Sequence, residues 1–367
     1  MNNRDLFVFA GQSNMMGAAV YPASEQIFFE SSYEYLHKPK RLGEKSGAFK
    51  QEGFPTGEFS YMNMSLAYRK DLVTEDGKSR LDSYSMNTHF CPAMCNLDSE
   101  EKKTTVDFEI FSEAYLPYAP SLAPFLVREW EKLGQKCVYA HIAKAGVPIR
   151  YYFNEKMLKR LNNLISEHNE KSGDTLPKQA PASESADYFF EKTRDLILDS
   201  EQKFKGESLE NKCFFWLQGE QDAEQPKSLY KLYLSVLWEE LKGLGFTHFF
   251  CIRVGYWFND GIAAIMQAQE EFCEENADAY MLTRLYSFMA APSGQNMSYW
   301  YGDATMEDYL FCRDSFYGFP NHHVNEKGLK MIASAAAENM KRVLLCGTPV
   351  CLEEEKCLPL IKNELKK

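Results

Sequence analysis

No run of about 18 consecutive apolar residues occurs in the chain. The usual signature of a membrane-crossing helix is therefore missing, and no membrane partner is expected. A basic excess is missing too. Lys and Arg number 41 against 52 Asp and Glu, a formal charge of −11. A surface of that sign repels phosphate backbones, so nucleic acid is not an expected partner. The closing KNELKK, residues 362–367, reads as a short solvated tail. A secretory leader is not evident either. The first apolar stretch is short and runs straight into a polar motif that cleavage would remove, which makes a cytoplasmic location the expectation.

Cysteines are present but not clustered as a disulfide scaffold requires. The 10 cysteines are spread from Cys91 to Cys357, and Cys137, Cys213 and Cys251 fall in apolar runs that read as core strands. Reduced thiols are the simpler account. Cys91 and Cys95, in CPAMC, lack the second nearby Cys or His pair that a zinc site needs. No metal and no cofactor are expected. Internal repeats and linker-like stretches are also absent, so residues 1–367 read as one domain.

What the chain does contain is a folded-protein balance of 45% apolar and 25% charged residues, with aromatics at 14%. Aromatics at that level suit a core and also suit sugar-binding surfaces. Short apolar runs alternate with longer amphipathic ones. Strands are predicted over residues 5–10, 137–143, 212–217, 247–254 and 279–288. Helices are predicted over 121–133, with Ser121 as N-cap, and over 186–204, 226–242, 261–274 and 324–344. This alternation predicts an α/β fold: a three-layer α/β/α sandwich around a parallel sheet of about five strands. Two regions break the pattern. Residues 18–115 read as a large, partly ordered insertion beside the strand ends. Residues 170–185 read as a loop.

In open parallel sheets, ligands gather outside the carboxyl ends of the strands. The polar surprises of this sequence sit there. Gly11-Gln12-Ser13 ends the first strand, Lys144-Ala145-Gly146 the second, and Gln218-Gly219-Glu220 the third. In LFVFAGQSNMMG, residues 6–17, Ser13 fits two roles. It can cap the helix that follows. It can also be a nucleophile lifted to the sheet end, with helix N–H groups beneath a developing oxyanion. The elbow pattern GxSxG is not matched, because Met15 stands where the second glycine belongs. In WLQGEQD, residues 216–222, Gln218 is either a turn residue or an oxyanion donor. In NHHVNEKGLKMI, residues 321–332, the histidine pair precedes a helix late in the chain and offers the best general base among the 7 histidines.

Taken in order, AGQSNMMG, KAGVPI, WLQGEQDA and HVNEKGLKMIA resemble the sequence blocks of the SGNH hydrolases. More narrowly, they resemble carbohydrate esterase family six and the sialate O-acetylesterase-like proteins. The blocks run from residue 6 to about residue 335, while most of 18–115 has no counterpart. The resemblance implies a flavodoxin-like sandwich and a serine esterase that removes O-acetyl groups from a carbohydrate. It implies that Ser13 is the nucleophile and forms an acyl-enzyme. His323 would be the base, in the pattern H-x-N-x-x-G. The oxyanion donors would be the backbone N–H groups of Ser13 and Gly146 and the side chain of Gln218.

Two departures stand out. The family places an aspartate three residues before the histidine, and here that residue is Pro320. Glu220 is the favoured substitute. Asp314, or a Ser–His dyad oriented by a backbone carbonyl, are the other options. Using His322 as base gains nothing, because Phe319 then holds the aspartate position. The second departure is at 147–153, where Val147-Pro148-Ile149-Arg150-Tyr151-Tyr152-Phe153 replaces small hydroxyl residues. Arg150 there either favours an anionic or highly hydroxylated substrate or is a salt-bridged surface residue. Two other functions remain open at this level: acyl transfer by the same residues, and sugar binding by a decayed site.

Overall fold

The computed structural model describes residues 3–17, 27–36, 48–53, 120–144, 146–173, 175–180, 186–255, 261–289 and 324–352. The strands among them are β1 (Asn3–Gly11), β2 (Ile27–Phe28), β3 (Tyr33–Leu36), β4 (Ala48–Lys50), β5 (Glu52–Gly53), β6 (Cys137–Ala143), β7 (Ser208–Leu217), β8 (His248–Ile252) and β9 (Ala279–Thr283). The helices are α1 (Ser13–Met16), α2 (Leu122–Lys132), α3 (Glu155–Ser172), α4 (Ala186–Lys203), α5 (Lys227–Gly243), α6 (Ile262–Glu275), α7 (Leu285–Met289) and α8 (Glu326–Leu344).

All five predicted strands are present and pair in parallel, in the order β6-β1-β7-β8-β9. Numbered among themselves along the chain, that order is 2-1-3-4-5. It is the doubly wound, flavodoxin-like order, whose switch point lies between β1 and β7. Two short strands from the 18–115 segment widen the sheet to seven. β3 pairs parallel to β6, and β4 pairs antiparallel to β3 at the edge. β2 and β5 form a separate two-stranded ribbon.

The strands are apolar on both faces because both faces are covered. Leu6, Val8, Ala10, Phe214 and Trp216 point into one layer with residues of α3, α4, α5 and α6. Phe7, Phe9, Cys213, Phe215 and Leu217 point into the other, with α1, α2, α7 and α8. Alternate residues of a strand face opposite sides, so each strand stitches both layers together. In the second layer Phe9 stacks on Phe215, with centroids 4.5 Å apart. Each such ring contributes about 1.5–3 kcal/mol by leaving water. Among the described residues, no helix is long and apolar enough to cross a membrane.

The sequence pattern misplaces some boundaries for local reasons. The last strand stops at Thr283 rather than 288, because the Thr283 hydroxyl accepts the Leu285 N–H and starts α7. Ser121 does occupy the N-cap position of α2 in extended backbone, yet its hydroxyl makes no capping bond. Helix α3 is not among the expected elements. Asn154 caps it by accepting the Met157 N–H, Gly173 ends it in the left-handed region, and only Met157, Leu158, Leu161 and Ile165 are buried. Four buried residues in eighteen make a narrow stripe, easily missed between polar flanks.

Gly11 ends β1 at the switch point with φ +147°, and a Cβ there would lie 2.0 Å from the Leu217 carbonyl oxygen. β1 and β7 approach so closely at this point that no side chain fits. Gly11→Ala is expected to cost about 3 kcal/mol or more, through strain plus displacement of β7. Denaturant unfolding followed by tryptophan fluorescence checks this. An unchanged midpoint contradicts the close approach.

Candidate active site

The first turn after β1 is helical because Gln12 leaves the strand in extended backbone and its carbonyl accepts the Met16 N–H. Ser13 is then the first residue of α1, 2% exposed, directly above the switch point. The Gln12 N–H donates to the Leu217 carbonyl at 3.1 Å, which ties the start of α1 to the end of β7.

The turn after β7 lies alongside. Gly219 takes φ +154°, with Ile265 and Val254 packed where a Cβ would be, and a 3-10 turn follows over Glu220–Asp222. The Gln12 side-chain oxygen accepts from Gln218 Nε2 at 3.2 Å and from the Gln221 N–H at 3.3 Å. Asn14 Nδ2 donates to Glu220 Oε1 at 2.7 Å. The residues on either side of Ser13 are thus both fastened to the β7 turn.

Gln218 is fully buried and its polar atoms are committed. Nε2 faces three protein acceptors: Gln12 Oε1, the Val147 carbonyl at 3.1 Å and Asp222 Oδ2 at 2.5 Å. Its Oε1 accepts from the Tyr230 hydroxyl at 2.9 Å. An amide has two N–H donors, and here three acceptors share them. Gln218 is a buried brace that joins the turns after β1, β6 and β7.

Asp222, which the motif contains but the expected site omits, is the other half of that brace. Its Oδ2 also accepts the Ile149 N–H at 2.7 Å, fixing the 3-10 turn Ile149–Tyr152 that follows Gly146. Tyr152 from this turn donates to the Gly11 carbonyl at 2.6 Å and accepts the Gly11 N–H at 3.2 Å. Gly146 itself is exposed at the sheet end. Arg150 is exposed as well, and its charge reaches Asp222.

Both acids of the β7 turn are buried, and burial governs their titration. Desolvation pushes Glu220 up to about 7, against the opposing pull of backbone donors and Asn14. Desolvation raises Asp222 to about 6, with Gln218, Ile149 and Arg150 pulling down. The two carboxylates differ in one respect. Glu220 Oε1 is held by Asn14, while Oε2 is buried and accepts no hydrogen bond from any described residue. A buried carboxylate oxygen in that state is a site for one more donor.

His323, His322, Pro320 and Asp314 lie outside the described residues, as do Cys91 and Cys95. The chain after His323 is described. Val324 is buried in the same apolar layer as Met15 and Phe9. Asn325 caps α8 by accepting the Gly328 N–H at 3.0 Å, so the Asn and Gly of H-x-N-x-x-G serve the helix start. Among the described residues, no group of three His, Cys, Asp or Glu side chains is placed to hold a metal ion.

No family model matches the chain, and no curated protein matches it. Among solved structures, a protein from Arabidopsis thaliana aligns over 92% of this chain and 97% of that chain, with 12% identity and a TM-score of 0.36. A carbohydrate acetylesterase from Xanthomonas citri aligns over 93% of this chain and 57% of that chain, with 10% identity and a TM-score of 0.41. Scores this low carry neither fold nor function across. The α/β/α assignment rests on the strand order and the two covered faces.

Proposed function

We propose that this chain is a serine esterase of the SGNH hydrolase kind, removing O-acetyl groups from a carbohydrate. The observation that carries the reading is the placement of Ser13. It begins a helix at the switch point of the sheet, and a buried carboxylate with one open oxygen stands next to it, bonded to Asn14.

In this reading His323 takes the hydroxyl proton of Ser13 as Oγ attacks the acetyl carbonyl carbon. The carbonyl π electrons move to oxygen, and the oxyanion is held by the backbone N–H groups of Ser13 and Gly146 and by the Gln218 amide, which exchanges one of its internal acceptors for it. One such donor is worth roughly 3–4 kcal/mol of barrier. Collapse expels the sugar alcohol, which takes the proton from His323, and leaves Ser13 acetylated. Water, activated by His323, then attacks the acyl-enzyme. Acetate leaves and Ser13 is regenerated. Glu220 Oε2 accepts the outer N–H of His323 and stabilises the imidazolium, the task that an aspartate at the Pro320 position would otherwise perform.

The test is hydrolysis of p-nitrophenyl acetate together with acetate release from an O-acetylated sugar. Turnover of both is expected. Binding of the sugar without release of acetate overturns the reading in favour of a binding protein.

A further inference from the structure

His141 is absent from every motif discussed above, and among the described residues it is the histidine that bonds to α1. It lies on β6 opposite Phe9, and its side chain shares the face that α1 covers. It is 4% exposed, and its Nε2 lies 2.6 Å from the Met15 carbonyl oxygen. A carbonyl only accepts, so Nε2 carries the proton and Nδ1 the lone pair. Nδ1 is buried and has no hydrogen-bond partner among the described residues. Protonating the ring would strand a second N–H there. Burial accordingly pushes its titration down to about 4, so the ring stays neutral near pH 7.

The contact matters because of what α1 is. A helix of 4 residues cannot hold itself together, and its last carbonyls have no partner inside the helix. Asn14 is gripped by Glu220 from the turn after β7, and Met15 is gripped from β6 by His141. Ser13 therefore leads a turn clamped on one side by a residue of β6 and on the other by the turn that follows β7.

We propose that His141 is a positioning residue for Ser13, its Nε2–H holding the Met15 carbonyl and so fixing the nucleophile's turn on the sheet. This rests on the esterase reading. Misplacing a nucleophile by about 1 Å costs on the order of 100-fold in rate, while substrate binding need not change.

The experiment compares wild type, His141→Leu and His141→Gln in steady-state esterase kinetics, with thermal melts alongside. Leucine keeps bulk and removes the donor. Glutamine carries an N–H at comparable reach. The expected result is kcat lowered about 10–100-fold in the leucine variant, KM within about 3-fold, and recovery to within about 5-fold in the glutamine variant. If His141→Leu does not fold, His141→Asn, whose amide stops short of Met15, takes its place. A wild type without esterase activity overturns the esterase reading, and this proposal with it. An active wild type matched by the donor-free variant overturns the positioning role alone. Equal loss in the donor-free and glutamine variants overturns the donor role and leaves packing.

Discussion

Ser13→Ala is expected to lower kcat/KM for acetyl esters by at least about 10⁴-fold while the protein still folds. The side chain is small and buried, and the turn around it is held by Gln12, Asn14 and Met15 through bonds that do not involve its hydroxyl. Removing one oxygen therefore deletes the proposed nucleophile and little else. Members of a catalytic unit are non-additive, so Ser13→Ala combined with His323→Ala is expected to be no worse than Ser13→Ala alone. Kinetics of the two variants check this. Residual activity within tenfold of wild type in Ser13→Ala contradicts the assignment.

Glu220→Gln is expected to act on activity and stability in opposite directions. Loss of the orienting acid in a serine triad costs about 10⁴-fold, so a fall of about 10³–10⁴-fold in kcat is expected. Stability moves the other way, and the sign follows from linkage. The folded-state pKa of Glu220 is raised to about 7 from an ordinary 4.5. Between those two values the folded protein binds more protons than the unfolded chain. Stability therefore falls as pH climbs through that window, by about 3 kcal/mol in total. Glutamine carries no such loss. Its carbonyl can still accept from Asn14. The variant is expected to match wild type near pH 4 and to exceed it at pH 8. Wild-type activity is expected to rise as pH passes about 7, because the ionised carboxylate is the orienting form. Urea unfolding at the two pH values, with a pH–rate profile, reads all three effects. A variant less stable than wild type at pH 8 contradicts the buried-carboxylate account.

Much of this architecture is legible in the residues themselves. The runs DLFVFA, CVYAHIA, KCFFWL, THFFCIRV and AYMLTRLYSF alternate with amphipathic helical stretches, the pattern of a parallel sheet covered on both sides. The polar groups at their ends then point to the place where β1 and β7 part. What the sequence does not show is which polar groups are already taken. Gln218 reads as a donor because it follows a buried strand. Its commitment depends on Val147 and Asp222 being in reach, which is a matter of three dimensions. His141 reads as a strand residue because its period is that of a strand. Its role appears only once α1 folds over β6. Tyr152 is hidden in the same way, since 141 residues separate it from Gly11. Asp222 stands within the motif, and its spacing of four residues from Gln218 is the signal for a turn that closes back onto that amide.

The most direct test of Ser13 as an activated nucleophile is covalent. The purified chain is treated with a fluorophosphonate, and intact mass and peptide mapping then locate any adduct. One phosphonyl group on the peptide carrying Ser13, absent from Ser13→Ala, is the predicted result. An unmodified wild type, or equal labelling of Ser13→Ala, contradicts it.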